Sequence, residues 1–436
     1  MKTTLRPSKI KEILSNNIKS MAATLDDYVR RPGHDFSRNR KLTFETMLQM
    51  LIGMGGNSLC KELYEWFSFS KDTASVSAFV QQREKILPSA IETLFHRFVA
   101  SCDESVLFNG YRLFAVDGTD LRLPTNPNDS ESYMKNESNT KGDNLVHIDA
   151  MYDLMRHVYV DASVQRKKGM NEHKALVTMV DRSNYSGKVI VIADRGNESF
   201  NNIAHFQEKS WNYIIRSKES YGIISKLAVP DQAEFDIQVT LSLTRRQTKQ
   251  TLSLLKKDPV RYRWIQPHTT FDYLYPKDDR LYDLCFRVVR FAISDVSYET
   301  VFTNLDSGNF PPDTIKELYN RRWGIETSFR ELKYAVGLVN LHSKKPSSML
   351  QEVFSRFILY NFSALIAHQA QIPNEATKRI NFSAAMLICR QYFRDKLSED
   401  SLLDLNAKHL SLIRKGRKFP RFQNPISAVG FTCRVS

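Results

Sequence analysis

The segment "GKVIVIADRG", residues 187–196, constrains the fold most. Five consecutive apolar residues, Val189 to Ala193, run into Asp194, Arg195 and Gly196. An apolar run this short, closed by a turn signal, reads as a buried strand. The preceding eighty residues carry the same signature. "YRLFAVDGTDL" is an apolar run ending in Asp-Gly, a strand leading into a turn at Asp117. "LVHIDAMYDL" and "HVYVDASVQ" read as two strands joined by a tight polar turn, and "MNEHKALVTMVDR" reads as a helix. Residues 110–196 therefore predict strand, strand, strand, helix, strand. About twenty polar residues without periodicity, "PTNPNDSESYMKNESNTKGDN", read as a long loop after the first strand.

The flanking regions differ. Residues 1–105 show helical spacing in "TFETMLQMLIGMG", "SLCKELYEWFSF" and "SAFVQQREKILPSAIETLFHRFVA". A basic connector, "VRRPGHDFSRNRK", offers Arg30, Arg31, Arg38, Arg40 and Lys41 either as solvated charge or as phosphate contacts. From about 230 to 305 helical character is lost, and "FDIQVTLSL", "YRWIQ", "YDLCFRVVRFAI" and "YETVFTNL" read as strands. A long helix then opens near Pro311 and Pro312, where proline is tolerated in a first turn. Helical segments fill 347–371 and 381–397, and the end carries Lys408, Arg414, Lys415, Arg417, Lys418 and Arg421.

Composition narrows the function. Lysine and arginine number 62 against 48 acids, a net charge of +14, which favours polyanions, nucleic acid above all. Five widely spaced cysteines (Cys60, Cys102, Cys285, Cys389 and Cys433), with no C-x-x-C, argue against a disulfide framework or a zinc site. No 18-residue apolar run and no apolar leader segment occur, so a cytoplasmic protein without membrane contact is expected.

The segment "ELYNRRWGIETSFRELKYAVGL", residues 317–338, carries the chemistry. On one helix with Tyr319 at zero, Arg322 falls near ~300°, Glu326 near ~340°, Arg330 near ~20° and Lys333 near ~320°. Leu318, Ile325, Phe329, Leu332 and Val336 form an apolar stripe beside them. Glu331 projects well away and reads as solvent-facing charge. Glu326 paired with Arg322 and Arg330 would contribute only about 0.2–0.5 kcal/mol as a surface ion pair. Bordering the core, the same carboxylate suits a site that handles phosphate. Asp117 and Asp194, each at a strand end, can converge with it. Three converging carboxylates can hold two Mg²⁺ ions, and oxygen-only donors favour Mg²⁺ or Mn²⁺ over zinc. Asp120 is expected beyond the strand end, and His147 and His157 are expected to be packed or solvent-facing. Trp323 could approach bases or pack.

These motifs resemble those of the DDE transposases of the insertion-sequence-4 group. The signature Y-x2-R-x3-E-x6-K is met by Tyr319, Arg322, Glu326 and Lys333, D-G-[ST] by Asp117 and its neighbours, and D-R-G by Asp194 and its neighbours. The resemblance spans about residues 25–425. It implies an α/β protein with an RNase H-like catalytic core split by a β-rich insertion, an all-α N-terminal region and a helical C-terminal tail. The implied divisions are 1–105 (helical, DNA-binding), 106–215 (first part of the core), 216–307 (insertion), 308–345 (second part, with the catalytic helix) and 346–436 (helical, basic). Asp117, Asp194 and Glu326 would be the catalytic residues and hold two Mg²⁺ ions, with Mn²⁺ able to substitute. Tyr319, Arg322 and Lys333 would contact DNA. Arg330 would add a phosphate contact or pair with Glu326, and Trp264 would stack on a flipped base or pack in the insertion. The resemblance further implies cleavage at transposon ends and joining of 3′-hydroxyls to target DNA by strand transfer. Double-stranded terminal inverted repeats and target DNA would be the partners of a synaptic homodimer associated with the bacterial nucleoid. An RNase H-like nuclease without strand transfer and a non-cutting DNA-binding relative are the alternatives.

Overall fold

The computed structural model of the chain describes residues 5–38, 40–136, 139–219, 221–369 and 377–413. The basic end from Arg414 to Arg421 lies outside them. Five helices come first: α1 (Pro7–Ala23), α2 (Phe44–Gly53), α3 (Leu59–Trp66), α4 (Val76–Arg83) and α5 (Pro88–Ser101). The break between α4 and α5 falls at Leu87, whose extended backbone is the one a residue before proline prefers.

Strands and helices then alternate: β1 (Arg112–Leu123), β2 (Tyr133–Asn136), β3 (Asn139–Asp153), β4 (Val158–Arg166), α6 (Glu172–Arg182), β5 (Val189–Ala193), α7 (Phe200–Glu208) and β6 (Asn212–Arg216). β7 (Phe235–Thr244), α8 (Lys249–Lys257), β8 (Tyr262–Trp264), β9 (Tyr282–Ser294) and β10 (Ser297–Thr303) follow. The chain continues with α9 (Pro312–Arg321), α10 (Trp323–Tyr334), α11 (Pro346–Ala367), β11 (Lys378–Ile380), α12 (Phe382–Phe393), α13 (Glu399–Lys408) and β12 (Leu410–Leu412).

Ten strands form one sheet in the order β2-β3-β1-β5-β6-β10-β9-β7-β8, with β4 paired to β3. β1, β3 and β4 are antiparallel neighbours, whereas β5 and β6 run parallel to β1. β5 lies between β1 and β6, and all five of its residues are buried, as its unbroken apolar run requires. The strand-rich stretch does not stand apart: β10 pairs with β6 through Val301 and Arg216 and carries the sheet outward.

Four local expectations are corrected. The polar stretch after β1 is not a plain loop, because it contains β2 and the start of β3. The Asn144 side chain holds that turn together, donating to the Asn126 carbonyl at 3.0 Å and to Ser132 Oγ at 2.8 Å. β1 does not stop at Asp117: antiparallel pairing with β3 carries it to Leu123, so Asp120 lies within the strand, opposite His147. The 230–305 stretch holds one helix, α8, started by a reciprocal capping box between Thr248 and Thr251. The helix after Pro312 is two helices, with Arg322 closing α9 and opening α10.

Helix α11 is the centre of the helical layer. Nineteen of its 22 residues are buried, so it shows no single apolar stripe. It packs on α1, α2, α5, α10, α12 and β4, joining the first and last helices around one core. Its wholly buried Arg356 donates to the carbonyls of Met54 and Gly55, which follow α2. No described helix is long and apolar enough to cross a membrane.

Candidate active site

β1 and β5 run parallel and in register from Arg112–Val189 to Val116–Ala193. The next residue on each strand is an aspartate, Asp117 and Asp194. Parallel neighbours in register present equivalent residues at the same level of the sheet, so the two acids leave the ladder side by side. Asp194 immediately begins a 3₁₀ turn, Arg195–Asn197. Asp117 instead stays in the β1–β3 ladder, and its Oδ1 accepts from the Gly118 N–H at 2.9 Å.

Helix α10 brings the third acid. Its buried face packs on the sheet: Ser328 Oγ lies 2.7 Å from the Tyr159 hydroxyl, and Phe329 meets the Tyr159 ring. Gly324 brings the first turn close in, since a Cβ there would lie 2.8 Å from Leu154. Glu326, in that same first turn, therefore faces the strand ends. Arg322, only 5% exposed, fills the space between the acids. Its Nη1 donates to Asp117 at 3.3 Å and its Nη2 to Glu326 at 2.8 Å. Tyr319 donates its hydroxyl to Asp194 at 3.5 Å.

Burial and neighbouring charges shift these groups from their ordinary pKa values. Burial pushes Asp117 up to about 6, and Glu326 and Asp194 add to the rise, while the Gly118 N–H and Arg322 oppose it. Burial acts to lower Arg322, but Tyr319, Glu326, Asp117 and Asp194 hold it above its ordinary value. Burial likewise lifts Tyr319 to about 12. A fourth acid belongs to this neighbourhood. Glu299 on β10 lies 3.4 Å from Arg216, the residue after Ile215, which pairs with Ala193. Burial raises its carboxyl, Arg216 and Arg322 counter that, and Asp194 adds to it. Neither Arg216 nor Glu299 was identifiable in the sequence, because only the β6–β10 pairing brings them here.

The remaining candidates separate. Lys333 donates to the Asp120 carbonyl at 2.8 Å, and burial lowers its pKa. Arg330 is exposed on α10, and its charge acts on Glu331. Glu331 does not face solvent: it is half-buried and accepts from the Tyr360 hydroxyl of α11 at 3.1 Å, with its pKa raised by burial. Trp264 lies on the outermost strand, six positions from β1, roughly 29 Å at ~4.8 Å per strand. It is 38% exposed, and its Nε1 donates to the Arg245 carbonyl at 3.1 Å. Trp323 is half exposed beside the site, with the Arg322 guanidinium 5.0 Å from its ring centre. In the basic N-terminal connector, Arg30 donates to the Glu84 carbonyl, Arg31 pairs with Asp35 and Lys41 with Asp72.

One further cluster adjoins Asp117. His147, buried on β3, lies 2.7 Å from Asp120 through Nδ1. Burial acts against its charge, but the hydrogen bond to Asp120 and the nearby Asp149 carboxylate raise its pKa to about 9.

No three histidine, cysteine, aspartate or glutamate side chains form a ready-made metal cage among the described residues. At the strand ends a guanidinium occupies the middle instead. The donor set still fits a hard divalent cation: every candidate ligand is a carboxylate oxygen. The raised Asp117 pKa marks an electrostatic demand that a cation would relieve.

Aspartates on adjacent strands, a helix glutamate and a buried arginine suit an enzyme that works on phosphodiesters. The sequence model of the transposase DDE domain matches residues 108–362, well over half of the chain. The chain belongs to that family, metal-dependent enzymes that cut and join DNA, and is a DNA transposase of the insertion-sequence-4 group. It is 20% identical over 342 residues to the transposase InsG for insertion sequence element IS4 of Escherichia coli (strain K12). That alignment takes in 74% of this chain and 70% of the relative. Among solved structures, the cryo-EM structure of a piggyBac transposase synaptic complex with hairpin DNA superposes with a TM-score of 0.45 at 10% identity. That superposition covers 98% of this chain and 89% of the other.

Proposed function

We propose that this transposase hydrolyses the phosphodiesters at the ends of its element with two divalent metal ions and joins the freed 3′-hydroxyls to target DNA. The observation that carries the reading is the meeting of Asp117, Asp194 and Glu326 around Arg322. Those three carboxylates would hold Mg²⁺ or Mn²⁺. A bound pair supplies Lewis-acid chemistry, activating water or a 3′-hydroxyl and stabilising the leaving oxygen.

The chain's own residues do the rest. Arg322 neutralises the acids, and its planar guanidinium offers a fork that would take a phosphate. Tyr319 and Lys333 flank it as a hydroxyl donor and a cation for the DNA backbone. Arg330, exposed on the same helix, is a further backbone contact. Trp264 serves DNA from the outer strand, away from this centre.

The strand order β4-β3-β1-β5-β6, three antiparallel and two parallel, supports an RNase H-like core. On this reading residues 106–215 and 308–345 form the core, 216–307 the insertion, 1–105 the helical DNA-binding region and 346–436 a helical, basic C-terminal region. A net charge of +14 favours nucleic acid, and the proposed partners are two transposon ends and target DNA, held by a homodimer.

The test uses the full chain, Mg²⁺ and a labelled duplex made from the DNA bordering its reading frame. Cut ends and joined products are expected, with both lost and DNA binding kept in Glu326→Gln. Cutting without joining would mean a nuclease, and wild-type cutting by Glu326→Gln would remove Glu326 from the centre.

A further inference from the structure

Beside the two aspartates lies a buried imidazole that the reaction, as described, leaves unused. His147 is 5% exposed and faces Asp120 across the β1–β3 ladder. Its Nδ1 lies 2.7 Å from Asp120 Oδ1. On the other side, its Nε2 is 3.3 Å from Asp149 Oδ1 and 3.3 Å from Glu172 Oε1, close enough for charge pairing but with no hydrogen bond formed to either. Asp149 sits opposite Gly118, the residue after Asp117. Glu172 opens α6, which packs on the turn that follows Asp194, and its second oxygen faces the open side of Gly196 in that turn.

One ring therefore spans two backbone segments, each leaving a candidate metal ligand. Both positions are glycine. A Cβ on Gly118 would fall on the His147 ring, and a Cβ on Gly196 would touch the Glu172 carboxylate at 3.5 Å. Asp120 is pinned in turn. Lys167 Nζ lies 2.9 Å from each of its carboxylate oxygens, and its carbonyl accepts from Lys333. Lys333 belongs to α10, the helix that carries Glu326, so all three acids connect to this one polar hub.

We propose that His147 is a positioning residue: bonded to Asp120 and flanked by Asp149 and Glu172, it fixes the spacing of the Asp117 and Asp194 carboxylates proposed to receive the metal. It touches neither the metal nor the DNA and acts through the β1 segment and the turn after β5. The inference rests on the metal-holding role proposed above. Partners that orient ligands from behind commonly change metal affinity by about 10–100-fold.

Mn²⁺ alone is the probe, titrated calorimetrically into the DNA-free full chain. Wild type, Asp117→Asn and His147→Gln are compared, each with its thermal melting curve. His147→Gln is expected to bind Mn²⁺ about tenfold more weakly while remaining folded at the titration temperature. Electrostatics alone predicts the opposite sign, because loss of a charged ring removes repulsion toward the cation. Unchanged or tighter Mn²⁺ binding by His147→Gln therefore overturns the proposal, whatever happens to the melting temperature. Should His147→Gln not fold, His147→Asn keeps a donor toward Asp120 but cannot reach Glu172, and it carries the same expectation and the same refutation. Wild-type Mn²⁺ binding by Asp117→Asn would remove the metal-holding reading and this inference with it. Loss in Asp117→Asn with retention in His147→Gln would remove this inference alone.

Discussion

Asp117 is held in a place that disfavours its charged form. Folding lifts its pKa from 3.8 to about 6, chiefly through burial. A carboxyl raised on folding stabilises the fold below its unfolded value, and that contribution is lost as pH rises through the folded value. In metal-free buffer, Asp117→Asn should therefore melt above wild type near pH ~7.5, with the gap closing toward pH ~4. Differential scanning fluorimetry in EDTA checks this, and a gap independent of pH would contradict it. The three acids were legible because each stands in a short motif with a local reason to be there. Glu331 and His147 were not. A helical wheel sees α10 alone and cannot know that α11 lays Tyr360 over the far side of Glu331. His147 acquires its three acids from β1, β3 and α6, segments joined only by the fold.

At the scale of elements, the wheel treated residues 317–338 as one straight helix, and Arg322 breaks it. Tyr319 and Glu326 still face the same strand ends, because Arg322 turns the chain through a single tight step, with its own N–H bonded to Tyr319 and its carbonyl to Ile325. β1 likewise outran its motif. Asp-Gly signals a turn only when no partner strand continues, and here β3 pairs with β1 as far as Leu123. Gly118 lies inside that ladder, and its missing side chain makes room for the His147 ring. Gly118→Ala should destabilise the chain by roughly 1–3 kcal/mol through overpacking, measured by urea unfolding. A neutral result would show that the ring moves freely and that the packing beneath Asp117 is loose.

For the whole molecule, helical and strand-rich stretches were readable from periodicity, but their assembly was not. Which strand β10 joins, and that α11 sits at the centre of the first and last helices, depend on pairings between residues far apart in sequence. Buried ion pairs hold that arrangement. Arg83 of α4 meets Glu352 of α11 at 2.7 Å, both almost fully buried, and His342 also contacts Glu352. Burial opposes the Glu352 charge, yet Arg83 and His342 keep its pKa at about 2. Arg83→Ala should cost roughly 3–5 kcal/mol, because it leaves a buried carboxylate without its partner. Chemical denaturation checks this, and a loss under about 1 kcal/mol would mean that the two ends are not locked together through α11. On the proposed reading this scaffold gathers Asp117, Asp194 and Glu326 from three distant segments into one metal centre. Anomalous diffraction at the manganese edge, from crystals of the full chain grown with Mn²⁺, tests it most directly. Manganese density is expected at the carboxylate oxygens of Asp117, Asp194 and Glu326, with Arg322 displaced from Asp117. Manganese bound elsewhere, with Arg322 still seated between Asp117 and Glu326, would contradict it.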